Sequence, residues 1–158
     1  MSQGVIEIKF AGPLGPKYKP AILRAATLVF SSVESVRAPD NILVIVKRLH
    51  SSSDSANPTG LAEYRRREVI LRIDTNPKNY PCLWEQSNSF WPRIRMRNVT
   101  EAVTLIAAHE FAHIALRAEK LVTQSRYNNY SDFEEWLCEN IAITSLLITR
   151  GVVLSSLK

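Results

Sequence analysis

The spacing of apolar residues changes period several times along this chain, and each change predicts an element. Val5, Ile6, Ile8 and Phe10 suggest a short first strand, closed by the turn-forming run Gly12-Pro13-Leu14-Gly15-Pro16. Ile22, Ala25, Ala26, Val29 and Val33 then recur at helical spacing. They predict a helix from Pro20 to about Val36, with the proline in its first turn. Ile42, Leu43, Val44, Ile45 and Val46 form an unbroken β-favouring run, expected as a buried strand within residues 41–50. Residues 51–60 are almost all Ser, Asp, Asn, Pro and Gly, which predicts a loop. Leu61 to Asp74 should be extended, and one bent strand or a hairpin would both fit. Residues 75–92 carry three prolines with Tyr80, Trp84 and Trp91 and show little periodicity. A loop that long is often functional. Arg93 to Arg97 alternates, predicting a short strand with its three arginines on one face.

The second half is helical. Asn98 with Glu101 three residues on resembles a capping box, and Val103, Ile106, Ala107, Phe111 and Ile114 follow at helical spacing. This helix should run to about Leu121. Residues 122–130 are polar and predict a loop. Ser131 and Glu134 repeat the capping pattern and open a last helix to about Arg150, with Gly151 as its stop. No internal repeat and no long linker divides the chain, so one domain is expected over residues 1–158.

Composition bounds the function classes. The chain has 158 residues, 46% hydrophobic and 22% charged, which excludes a disordered tail or a low-complexity filament. Its 20 basic and 15 acidic residues leave a net charge of +5. That permits an anionic partner without demanding one. Arg65, Arg66 and Arg67 form the one three-residue basic run. Two cysteines, Cys82 and Cys138, make no disulfide framework and suit a reducing compartment. The N-terminal residues show no signal-peptide pattern, and the apolar stretch Ile141 to Ile148 falls short of the ~20 residues a bilayer requires. A cytoplasmic location without membrane attachment is the expectation.

The sharpest motif is His109-Glu110-Phe111-Ala112-His113, an H-E-x-x-H pattern in a chain with only three histidines. On a helix, positions four apart lie one turn apart on one face, so both imidazoles can reach one ion. Glu110 would flank that ion rather than bind it, as a general base for a zinc-activated water must.

A catalytic zinc requires a third protein ligand. His50 ends a strand and has no ligand spacing around it. Glu119 stands ten residues after His109. A straight helix carries it about 15 Å along the axis, too far to share the ion. Cys82 could supply sulfur from the preceding loop, but its flanking residues form no recognisable cysteine motif. Glu134, Glu135 and Glu139 on the last helix are better placed, because a loop over 122–130 can fold that helix back across the first. For Glu134, the ordinary reading is an acid opposing the helix macrodipole. That reading does not explain Glu139, which sits between Leu137 and Ile141.

Here the chain resembles the gluzincin metallopeptidases. In that family the histidine motif is followed by a glutamate ligand on a second helix, often with a small residue three positions later and then an acid. Glu135-Trp136-Leu137-Cys138-Glu139 reproduces that order, with cysteine and glutamate where alanine and aspartate are more usual. The resemblance implies one Zn2+ per chain, held by His109, His113 and Glu135. It implies Glu139 as the carboxylate that orients a ligand histidine through its free ring N–H. The two departures leave the choice between Glu135 and Glu139 as ligand open. The implied fold is α+β, a small zincin-like domain. A mixed N-terminal sheet with one helix would precede the H-E-x-x-H helix, and a C-terminal helix would carry the third ligand. Such sheets bind substrate along an antiparallel edge strand, for which Arg93 to Arg97, or the strand before it, is the candidate. The SprT-like proteases match less well, since they use a third histidine after the motif.

The implied activity is intracellular hydrolysis of peptides or proteins, with Glu110 as the general base. Tyr127 and Tyr130 are candidate oxyanion donors, although each also suits ordinary packing. Trp84, Trp91 and Trp136 could line a specificity pocket or simply pack in the core. The alternative is a basic, nucleic-acid-associated binding protein with a structural or vestigial zinc site. The arginine strand and net charge motivate it, but no helix-turn-helix, RNP-type strand or paired-cysteine knuckle supports it.

Overall fold

The computed structural model describes residues 6–49, 57–84, 93–122 and 131–151. Strand β1 (Glu7–Ala11) leads into helix α1 (Gly15–Ser32) and returns as β2 (Asn41–Arg48). The extended region that follows is a hairpin, β3 (Thr59–Glu63) and β4 (Glu68–Ile73). A short 3-10 turn (Pro77–Asn79), β5 (Cys82–Leu83) and β6 (Arg95–Met96) precede the two long helices, α2 (Val99–Ala118) and α3 (Asp132–Thr149). The fold is α+β, as expected.

The main sheet has the order β1-β2-β4-β3. β1, β2 and β4 are parallel, and β3 is an antiparallel edge strand. Alternation sorts the side chains. Ile42, Val44, Val46, Val69, Leu71 and Ile73 are buried, while Lys47 and Arg72 are exposed. In register, Leu71 pairs with Gly60 and Val69 with Ala62, so Gly60 and Ala62 share the helix-covered face.

Several boundaries differ from the sequence reading, each for a local reason. Helix α1 begins within the expected turn, because Pro16 lies in its first turn, where the missing N–H costs nothing. Pro20 is therefore inside the helix rather than at its start. The helix stops at Ser32 instead of Val36, where Glu34 adopts a left-handed φ of 52° and the Ser35 amide bonds back to Phe30. The loop expected over 51–60 gives way to β3 at Thr59. The long loop of 75–92 contains β5, whose partner is β6. Arg93 to Arg97 therefore belongs to a separate two-stranded sheet and is not the edge of the main one; β3 is that edge. The alternation itself holds: Ile94 and Met96 are buried, and Arg93, Arg95 and Arg97 are exposed. The Arg65–Arg67 run occupies the exposed hairpin turn, where Arg66 pairs with Glu63 at 3.2 Å.

Helix α2 is the centre of the molecule. Every residue from Ala102 to Ala118 is buried between α1, α3 and the sheet. Its length and hydropathy would also suit a membrane span, but its apolar surface is taken up by the protein's own core. Six alanines, at 102, 107, 108, 112, 115 and 118, leave room for close neighbours on several sides. A helix buried all round has to be apolar all round. Its buried polar residues, Thr104, His109, Glu110, His113 and Arg117, are thus the exceptions that call for partners.

Both helix starts are capped as expected: Asn98 accepts from the Glu101 amide and Ser131 from the Glu134 amide. The reciprocal halves of the boxes differ. Glu101 reaches one residue further back, to the Arg97 amide at 2.8 Å. It is also clamped by Arg150 from the end of α3, with Nε to Oε2 at 2.7 Å and Nη2 to Oε1 at 2.5 Å. Burial raises the Glu101 carboxyl pKa, but the Arg150 and Arg97 contacts outweigh it and hold the group below the ordinary carboxylate range. A depressed carboxylate pKa stabilises the fold above the unfolded-state pKa of about 4.3 and stops doing so as the pH falls through the folded value. Arg150→Ala should therefore lower stability at neutral pH by about 1–2 kcal/mol. Thermal unfolding across pH 7 to 3 should show the gap to wild type narrowing toward the acid end.

Candidate metal centre

His109 and His113 lie one turn apart in the middle of α2 and face α3. Glu135, in the first turn of α3, meets both. The two Nε2 atoms are 3.3 Å apart. Glu135 places Oε2 at 3.2 Å from His109 Nε2 and Oε1 at 3.2 Å from His113 Nε2. The three residues thus offer a compact triangle of two imidazole nitrogens and a carboxylate, a group that could hold a metal ion. Between Glu135 and Glu139, the structure brings Glu135 to the donors. Glu139, one turn on, lines the same cleft without belonging to the donor group.

Glu110 flanks the triangle, with Oε1 at 4.0 Å from His109 Nε2. It is only 3% exposed, and this burial pushes its carboxyl pKa up despite the opposing influence of the two histidines. Glu135 is half-buried, yet the hydrogen bonds and charges of His109 and His113 outweigh burial and hold it well below the usual range. Burial disfavours a charged His113, but contacts with Cys138, Glu134 and Glu135 overcome this and raise its pKa.

The carboxylate on the far side of His113 is Glu134, not Glu139. Glu134 Oε2 lies 2.5 Å from His113 Nδ1 and 3.2 Å from Arg117 Nε. Glu134 is fully buried, so it is more than the helix-terminal charge its position suggests. An acceptor at Nδ1 fixes that nitrogen as the protonated one and leaves the Nε2 lone pair directed at the cluster. Arg117, one turn beyond His113, supplies the counter-charge that makes a buried glutamate tolerable. His109 Nδ1 has no hydrogen-bond acceptor among the described residues.

The cleft over the donors has a volume of about 390 Å³ and includes Pro58, Gly60 and Leu61 of the β3 segment, Trp84 and Ile106. The Trp84 ring stands edge-on to His109, with centroids 6.0 Å apart. Trp84 is thus a buried cleft wall, whereas Trp136 stacks on the exposed Phe133 at 6.1 Å. Cys82 stays outside the donor group. Glu119 ends α2, where its carboxylate accepts from the Arg37 amide at 2.6 Å. His50, Trp91, Tyr127 and Tyr130 lie outside the described residues.

Sequence reasoning missed the roles of Glu134 and Arg117. Arg117 carried a usable signal: a cation four residues from His113 on an apolar helix shares its face and requires a buried acid. No protein-family model matches this chain, and it shows no detectable similarity to a curated protein or a solved structure.

Glu134→Gln would take away the buried carboxylate that faces the Arg117 guanidinium and should cost about 3–5 kcal/mol in stability. Adding Arg117→Met should recover much of that loss. The double variant should still bind Zn2+ about 10–100-fold more weakly than wild type, because His113 has lost its anionic acceptor. Thermal unfolding and chelator competition read the two effects separately.

Proposed function

We propose that this protein is a zinc-dependent peptide hydrolase of the gluzincin kind. The observation that carries the reading is the meeting of His109, His113 and Glu135 with Glu110 in one cleft beside a sheet edge. The donor set fits zinc. Bonds of ~2.0–2.1 Å in a tetrahedral shell place ligand atoms about 3.3–3.4 Å apart. The two imidazole nitrogens here are 3.3 Å apart, and each lies 3.2 Å from one of the two Glu135 carboxylate oxygens. Three protein donors also leave a position open, as catalytic rather than structural zinc sites do.

A bound zinc ion would supply a Lewis acid that polarises the scissile carbonyl and acidifies water. The chain's own residues would do the rest. Glu110, with its raised affinity for a proton, takes one from the attacking water and delivers it to the leaving amine. Glu134 and Arg117 hold His113 in register. β3, the edge strand of the main sheet among the described residues, is where an extended peptide would add as a further strand. Trp84 closes one wall of the cleft and helps exclude water.

Elemental mass spectrometry on tag-free chain should find one zinc per molecule, lost in Glu135→Ala and kept in Glu139→Ala. Glu110→Gln should keep the metal and lose about 10²–10⁴-fold in hydrolysis of labelled casein. A wild-type chain that takes up no metal even after zinc is added would defeat the reading. Undiminished hydrolysis by Glu110→Gln would leave a metal protein without this chemistry. Salt-dependent binding to nucleic acid, unaffected by Glu110→Gln, would favour the binding-protein alternative.

A further inference from the structure

Gly60 stands in the interior of β3, where a glycine weakens a strand and often marks the close approach of another group. Its backbone gives no reason for the choice, since its φ lies outside the left-handed region. The reason lies across the cleft. The register of β3 on β4 turns position 60 toward α2. A Cβ built there would lie 2.7 Å from Glu110 Cγ, 2.8 Å from its Oε1 and 2.9 Å from its Cδ. The nearest atoms to that position all belong to Glu110, and each is closer than real Cβ contacts allow.

We propose that Gly60 is a positioning residue, whose missing side chain is the space that the Glu110 carboxylate occupies beside the metal-binding triangle. Glu110 is 3% exposed and has little room to yield without leaving its place near His109. A methyl group at 60 would displace the carboxylate and leave the donor atoms of His109, His113 and Glu135 untouched. Strand and base are thereby tied together: the edge strand can pass this close to the base only at a residue without a side chain. The catalytic consequence rests on the hydrolase reading above, whereas the steric contact does not.

The test is a double-mutant cycle on the full chain with Gly60→Ala, Glu110→Ala and their combination. Thermal midpoints are measured without metal, and zinc content after loading. Gly60→Ala should lower the midpoint in wild type and raise it in the Glu110→Ala background, where the new methyl fills vacated space and relieves a strand glycine. All variants should still bind one zinc. With labelled casein, Gly60→Ala should lose about 10–100-fold in kcat, with little change in KM. Equal midpoint shifts in the two backgrounds, or full kcat in Gly60→Ala, would overturn the proposal. If Gly60→Ala alone does not fold, a folded double variant supports the contact and an unfolded one overturns it. A wild-type chain that cleaves no casein would count against the hydrolase reading, while the stability cycle would still decide the contact.

Discussion

The structure depends on the complete burial of α2. A helix enclosed by two other helices and a sheet has no water to solvate its polar groups, so each charged side chain on it has to be met from a neighbour. His109, His113, Glu110 and Arg117 all fall within that enclosed stretch. α3 answers most of this demand with two consecutive acids. Glu134 meets His113 and Arg117, and Glu135 meets both histidines. The packing of the two helices and the assembly of the donor cluster are thus one event.

That arrangement separates stability from chemistry by a single residue step. Glu134 points into the core and is satisfied within it. Its neighbour Glu135 faces the cleft and keeps about a third of its side chain exposed. Successive residues on a helix lie about 100° apart, so adjacent acids can serve opposite sides of the same histidine. The second clamp, Arg150 on Glu101, works at the other end of the helix pair and ties the end of α3 to the start of α2 and to β6. Between these two ionic anchors Cys138, Ala142, Ile143 and Leu146 of α3 are buried, together with Ser145, whose hydroxyl donates to the Ile141 carbonyl of its own helix.

The sheet sets the other wall. Three parallel strands are rigidly spaced by the register of β1, β2 and β4, and β3 closes the hairpin in the opposite direction. This brings an edge strand alongside the helix that carries Glu110. At Gly60 the strand lies against the Glu110 side chain, with no room for a Cβ between them. Trp84, whose backbone N–H donates to the Ile94 carbonyl beside the small β5–β6 sheet, lines another side of the cleft. Elements with no motif of their own thereby define the space above the donors.

Much of this was legible in the order of residues because it depends on local periodicity. The spacing of His109 and His113, the caps at Asn98 and Ser131 and the glycine stop at Gly151 are all short-range, and all appear as expected; β2 forms where its apolar run predicts a strand, but only alternate residues of it are buried. Boundaries shifted where local chemistry was ambiguous, as at Pro16, which suits a turn and a first helical turn equally. What could not be read was which acid meets which histidine. Glu134, Glu135 and Glu139 are alike in type, and only the rotation of α3 against α2 assigns one to His113 Nδ1, one to the donor cluster and one to the cleft wall. The edge strand and the meaning of Gly60 belong to the same class. The approach of Gly60 to Glu110 joins residues fifty positions apart, where the chain's own pattern is silent and the packed structure alone brings the partners together.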